Sequence, residues 1–152
     1  MTLSDIISAA RGDRPADLLL TDARIVNVFT GEITEGHLAV ADGRIAGIGD
    51  YPAEKTVSME GMYVAPGFID SHVHIESAMT SVTEFARAVL PRGTTTVIAD
   101  PHEIANVLGT DGIAYMLAEG EHQPMNFYFT LPSCVPATPM ETAGAVLDAS
   151  SL

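Results

Sequence analysis

The sequence predicts an α/β chain in two parts, a small antiparallel sheet module followed by parallel βαβ units. Three observations predict it. Residues 17–63 carry short strand-like runs broken by turns. After Tyr63, apolar strands alternate with segments whose apolar residues fall at helical spacing, the pattern of right-handed crossovers in a parallel sheet. A hydrophobic share of 47% against 18% charged residues belongs to a chain that folds around a core rather than a disordered one.

The elements follow in order. In the first part, residues 18–20, 23–28, 37–40 and 44–48 are strand candidates. Asp42-Gly43 separates the last two and suits a type I′ hairpin, which needs positive φ at both central positions. Thr30-Gly31-Glu32 is a second turn. In the second part, residues 63–72 form an apolar strand, and Ser81 with Glu84 opens a helix by a capping box. Val82, Phe85, Ala86, Val89 and Leu90 make its apolar stripe, and Gly93 ends it. Residues 94–99 are β-branched and bounded by Gly93 and Pro101, hence a buried strand. Helices are expected over 103–108 and 111–119, and a third strand over 126–131. Thr138, Pro139 and Glu141 signal a further helix start. The domain division implied is 1–62 and 63–152.

Composition excludes several roles. Twenty acidic against seven basic residues give a net charge of −13, so no basic stripe exists for nucleic acid or for an anionic membrane. Cys134 is the single cysteine, which forbids an internal disulfide and fits a reducing compartment. The N-terminus lacks the basic region of a signal peptide, and apolar runs fall far short of about 18 residues. A soluble, cytoplasmic protein is expected.

The chemistry concentrates at strand ends. Residues 66–74 form an apolar run ending in His72 and His74, with Asp70 two positions before. Alternation along a strand points all three the same way, and two imidazoles so placed can hold a divalent metal. The end of a parallel strand is also where α/β sheets place their sites. The competing reading is a pair of histidines satisfied by neighbours. Glu76 shares their parity beyond the strand and either faces the site or is solvated. Asp100-Pro101-His102-Glu103 ends the next strand. Asp100 as N-cap and Pro101 in the first turn make a sound helix start, but capping does not require His102. Asp100, His102 and Glu103 are therefore candidate catalytic groups. After the third strand, Ser133 could line a substrate pocket. Cys134 lacks a local activating base and is expected as a buried or lining thiol. His37 and His122 are expected at the surface.

The string PGFIDSHVHIE, residues 66–76, resembles the first barrel strand of the amidohydrolase superfamily. GTTTVIADPHEIANVLG, residues 93–109, and LPSCVPATPMETAGA, residues 131–145, are similar to the bacterial adenine deaminase family, which Ala78 departs from where a second serine is expected. The resemblance implies a metal-dependent hydrolase (β/α)8 TIM barrel preceded by a small β-sandwich module, and hydrolysis of adenine to hypoxanthine and ammonia. It makes His72 and His74 ligands of a binuclear centre holding manganese or iron, with zinc also suited to such donors. It leaves Asp100, His102 and Glu103 to contact substrate or support the ligands, and Glu76 and Ser133 to bind substrate. A barrel needs roughly 200 residues or more, and this chain holds about three of its strands. The barrel is therefore expected to be incomplete and the chain inactive alone, its open surface covered by another copy or by a chain supplying the remaining strands. Two other readings stay open: an amidohydrolase of a different cyclic amide or amidine, and a non-catalytic metal-binding or assembly fragment.

Overall fold

The structure is a computed structural model that describes residues 2–151. It divides into two compact units, residues 1–66 and 67–152.

The first unit opens with helix α1 (Leu3–Ala10), which the sequence reading did not anticipate. Its signal is a T-x-x-D capping box: Thr2 accepts from the Asp5 amide while the Asp5 carboxylate takes the Thr2 amide. Those bonds, the backbone one foremost, hold the Asp5 carboxyl below its ordinary value. Strands β1 (Ala16–Val26), β2 (Ile33–Ala41), β3 (Arg44–Ile48), β4 (Ala53–Ser58) and β5 (Tyr63–Val64) then form one sheet in the order β3-β2-β1-β4, with β5 also on β1. Asp42 and Gly43 both take positive φ, 51° and 68°, as the β2–β3 hairpin requires.

Two expectations are corrected here. The sheet is mixed rather than antiparallel, because β4 and β5 run parallel to β1. The chain leaves β3 not by a hairpin but across to the far edge of β1. Moreover, Tyr63 and Val64 pair with Arg24 and Ile25 in this sheet, so they do not begin the strand that carries the histidines. Strand β4 was illegible because AEKTVS is an exposed edge with no apolar alternation, which is how edges are protected from further pairing. Ala16, Leu19 and Ala39, and separately Ala23, Ile25 and Leu38, form the buried clusters.

The second unit is a parallel three-stranded sheet, β6 (Phe68–Val73), β7 (Thr94–Ala99) and β8 (Asn126–Phe129), in sequence order. Helix α2 (Val82–Val89) links β6 to β7, and α3 (His102–Leu108) with α4 (Thr110–Gly120) links β7 to β8. Ser81 caps α2 by accepting from the Glu84 amide, but only half of the box forms. Glu84 turns instead to Arg87, 2.8 Å away, and the Glu119 carboxylate accepts from the Val82 amide at 3.0 Å. Behind the sheet, Ile75, Val82, Ala99 and Met116 pack as one buried cluster and Ala86, Val97 and Met125 as another.

The helix expected at Thr138 does not form. Residues 135–141 are turns and bends with irregular chain after them, and the Gly144 amide donates to the Asn106 carbonyl at 2.7 Å. The chain runs so close to α3 that a Cβ on Gly144 would stand 2.5 Å from the Val107 carbonyl oxygen. Docking onto α3 wins over a weak local cap.

Candidate metal centre

His72, His74, Glu76, Ser77, Asp100, His102 and Glu103 meet at the C-terminal ends of β6 and β7. Strand β6 delivers His72, and His74 follows one residue past its end. The short 3-10 turn Glu76–Ala78 delivers Glu76 and Ser77. Strand β7 ends in Asp100, whose amide is tied to the Val73 carbonyl at 2.9 Å, and the first turn of α3 delivers His102 and Glu103. Ile75, wholly buried between His74 and Glu76, anchors this loop in the core.

The three imidazoles form a ladder of edge-on rings. His72 to His74 and His74 to His102 each have centroids 4.8 Å apart. His74 Nδ1 lies 3.1 Å from the Asp100 carbonyl oxygen and 3.2 Å from Glu103 Oε2. Both neighbours only accept, so Nδ1 carries the proton and Nε2 keeps its lone pair. That Nε2 stands 3.1 Å from His72 Nε2. Two nitrogens each about 2.1 Å from one ion would subtend about 95° at this separation, an ordinary ligand angle. They stand side by side although β6 shifts register against β7 between Asp70 and Val73 and His74 lies one residue past the strand.

A second grouping lies alongside. His74, His102 and Glu103 each offer a ligand atom, all within 4.8 Å of one another. Within it His74 Nδ1 and Glu103 Oε2 stand 3.2 Å apart.

The surroundings fit a divalent metal on independent grounds. Glu76 Oε2, Asp100 Oδ1 and Glu103 Oε2 are buried and receive no aligned hydrogen bond. Orphaned carboxylate oxygens are costly, and a cation among them offsets that cost. Imidazole nitrogens with carboxylate oxygens suit manganese, iron or zinc.

Asp100 is corrected in one respect: it does not cap α3. Pro101 occupies the cap position and offers no side-chain bond, which leaves Asp100 one residue too early. Its Oδ2 instead lies 3.1 Å from His102 Nδ1. The capping falls to Glu76, whose Oε1 accepts from the Ile104 amide at 3.2 Å. The Asp100 bond holds the His102 imidazolium above its ordinary value against the opposing effect of burial, helped by the negative charges of Glu103, Asp100 and Glu76. Burial presses the Glu103 carboxyl upward, but the Ser77 hydroxyl, its own backbone and the two histidines outweigh it and the net direction is down.

A pH dependence follows for the metal-free chain. A raised folded-state pKa means that the proton on His102 stabilises the fold below about pH 6.5, its unfolded value, and that this contribution is lost as pH rises through the folded value. An imidazole NMR titration is expected to place His102 above 6.5, and Asp100→Asn to bring it down. An unchanged midpoint in that variant would remove Asp100 as the cause.

The sequence reading missed Ser77, whose Oγ donates to Glu103 Oε1 at 2.6 Å. Its only signal was its place directly after Glu76. Ser133 is exposed beyond β8, and no bond joins it to this cluster among the described residues. Cys134 is exposed rather than buried or lining, because its neighbours Pro132 and Val135 take the inward positions. His122 is exposed. His37 is not a free surface residue: its Nδ1 accepts from the Asp22 amide at 3.1 Å and its Nε2 lies 3.5 Å from Asp50.

Comparison with known proteins adds the following. The chain is 61% identical over 95% of its length to an adenine deaminase of Kosmotoga olearia, of which it covers 25%. It is 58% identical over 99% to an adenine deaminase of Geobacillus kaustophilus, covering 26% of that protein. The chain thus spans about a quarter of the length of the curated relatives it matches. Among solved structures, an N-acyl-D-glutamate deacylase from Bordetella bronchiseptica superposes with TM-score 0.61 at 22% identity, over 78% of this chain and 30% of that one. An L-hydantoinase from Arthrobacter aurescens gives 0.54 at 24%, over 75% and 27%. These likenesses concern the fold. The family model described as Amidohydrolase family matches residues 63–151, the stretch that holds every residue of the histidine–carboxylate cluster, and the chain belongs to that family.

Proposed function

We propose that this chain supplies the first metal-ligand strand of an adenine deaminase, which hydrolyses adenine to hypoxanthine and ammonia. The observation that carries the metal part is the 3.1 Å convergence of two Nε2 atoms, with His74 Nδ1 already engaged. Support for the substrate is that relatives 58–61% identical across nearly all of this chain bear the name adenine deaminase.

In this reading His72 and His74 hold one ion of a binuclear centre, manganese or iron by preference, with zinc also accommodated. When bound, the metal acidifies water and makes it a nucleophile at neutral pH. The chain's own residues do the rest. His74 is held in one tautomer through Nδ1. His102, whose proton Asp100 retains, stands one ring further along the ladder, placed to give a proton to a ring nitrogen or a departing amine. Glu76 and Glu103 also line an open depression of about 490 Å³ with Ile104, Tyr115 and Met116, which none of the three histidines lines. Ser133, exposed just past the C-terminal end of β8, remains a candidate to bind substrate. Among the described residues no helix is long and apolar enough to cross a membrane, which suits a purine-salvage enzyme of the cytoplasm. Phe68 and Ile69 on β6 are 69% and 67% exposed, an apolar surface suited to cover by further barrel strands or by another copy.

Joining the chain to the remaining three-quarters of the Geobacillus relative tests this reading. With Mn²⁺ the chimera is expected to release hypoxanthine and ammonia from adenine, and to lose that activity on His72→Ala. A folded, metal-loaded chimera that opens cyclic amides and leaves adenine untouched would overturn the substrate.

A further inference from the structure

Behind the ligand pair runs a second line of contacts that ligand chemistry alone does not require. Ser77 Oγ donates to Glu103 Oε1 at 2.6 Å, and the other oxygen of that carboxylate lies 3.2 Å from His74 Nδ1. His74 Nδ1 already has an acceptor, the Asp100 carbonyl at 3.1 Å, so the tautomer is fixed without Glu103. What Glu103 adds is charge. A carboxylate beside a protonated Nδ1 draws that proton and raises electron density on Nε2, strengthening it as a donor.

We propose that Ser77 and Glu103 are positioning residues for His74, with the serine locking the carboxylate so that Oε2 faces Nδ1 and the anion strengthening Nε2 toward a divalent ion. The proposal rests on the metal reading above. The chain explains why Ser77 matters although it touches no ligand. Glu103 Oε2 receives no aligned hydrogen bond, so on that side only the charge attraction of His74 Nδ1, 3.2 Å away, acts on the carboxylate. Its orientation depends on the short bond at Oε1. Without the Ser77 hydroxyl, the carboxylate is free to turn toward solvent, since the side chain is 36% exposed.

The experiment is a Zn²⁺ titration of the purified chain against a competing chromophoric chelator, with no activity readout. Outer partners of metal-bound histidines are typically worth about 10–100-fold in affinity. Glu103→Gln is expected to weaken Zn²⁺ binding within that range, since it keeps the shape and removes the charge. Ser77→Ala is expected to weaken it about tenfold, and Ser77→Thr to restore it by returning the hydroxyl. In the Glu103→Gln background, Ser77→Ala is expected to cost less than about twofold, because two members of one relay are not additive. A structural role for Ser77 would persist in that background and would not be rescued by threonine. If His74→Ala abolishes binding while Ser77→Ala and Glu103→Gln bind as the parent does, the relay is overturned and the metal site stands. If His72→Ala and His74→Ala also bind unchanged, the metal reading itself falls. Circular dichroism of each variant separates loss of fold from loss of affinity: a folded Glu103→Gln chain with parental affinity overturns the relay. Should Ser77→Ala unfold, the Ser77→Thr and Glu103→Gln pair decides alone.

Discussion

His74→Ala is expected to reduce the chain's affinity for a divalent metal by more than about 100-fold, beyond what loss of an outer partner costs. The magnitude follows from position. His74 is the middle rung of the imidazole ladder, in ring contact with both His72 and His102. It is also the side chain whose second nitrogen is already tied to the backbone of the next strand. Removing it breaks the pair and leaves the orphaned carboxylate oxygens as an unsupported acidic cluster. Equilibrium dialysis with Zn²⁺ or Mn²⁺ reads the change. Because ligand nitrogens must be unprotonated, the affinity of the parent chain is also expected to fall on acidification. A His74→Ala chain that binds as tightly as the parent would place the ion elsewhere.

Ile75→Ala is expected to destabilise the second unit by about 2–5 kcal/mol, the usual range for truncating a buried isoleucine. Ile75 is fully buried and packs on Val82, Ala99 and Met116, which joins the β6 loop to α2, β7 and α4. It also sits between His74 and Glu76, so the cavity it leaves loosens the loop that aims both side chains. The urea midpoint of the second unit is expected to fall accordingly. Phe29→Ala, at a side chain 97% exposed, is expected to change stability by no more than about 0.5 kcal/mol. Equal effects in the two variants would contradict the packing described.

What the sequence could and could not disclose follows from the range of the interactions involved. Strand β7 was readable because TTTVIA is β-branched and bounded by Gly93 and Pro101, a local signal. The spacing of His72 and His74 was readable because it is local, although His74 lies one residue past β6. The first sheet was misread because direction is not local: nothing in AEKTVS says that it returns alongside β1. The Asp100 cap failed on a shift of one residue, which Pro101 decides by taking the cap position itself. Glu76 as the cap of α3 lies 28 residues from the amide it serves, and Ser77 reaches Glu103 across 26. Contacts of that separation exist only once the βαβ unit has closed. The Thr138 cap was a true local signal defeated by the approach of Gly144 to α3.

Anomalous diffraction from crystals of the Zn²⁺-loaded chain tests the metal centre most directly. One ion is expected about 2.1 Å from both His72 Nε2 and His74 Nε2, with His74 Nδ1 still directed at the Asp100 carbonyl. An ion held by His102 and Glu103 with His72 unligated, or no ion at the ends of β6 and β7, would contradict it.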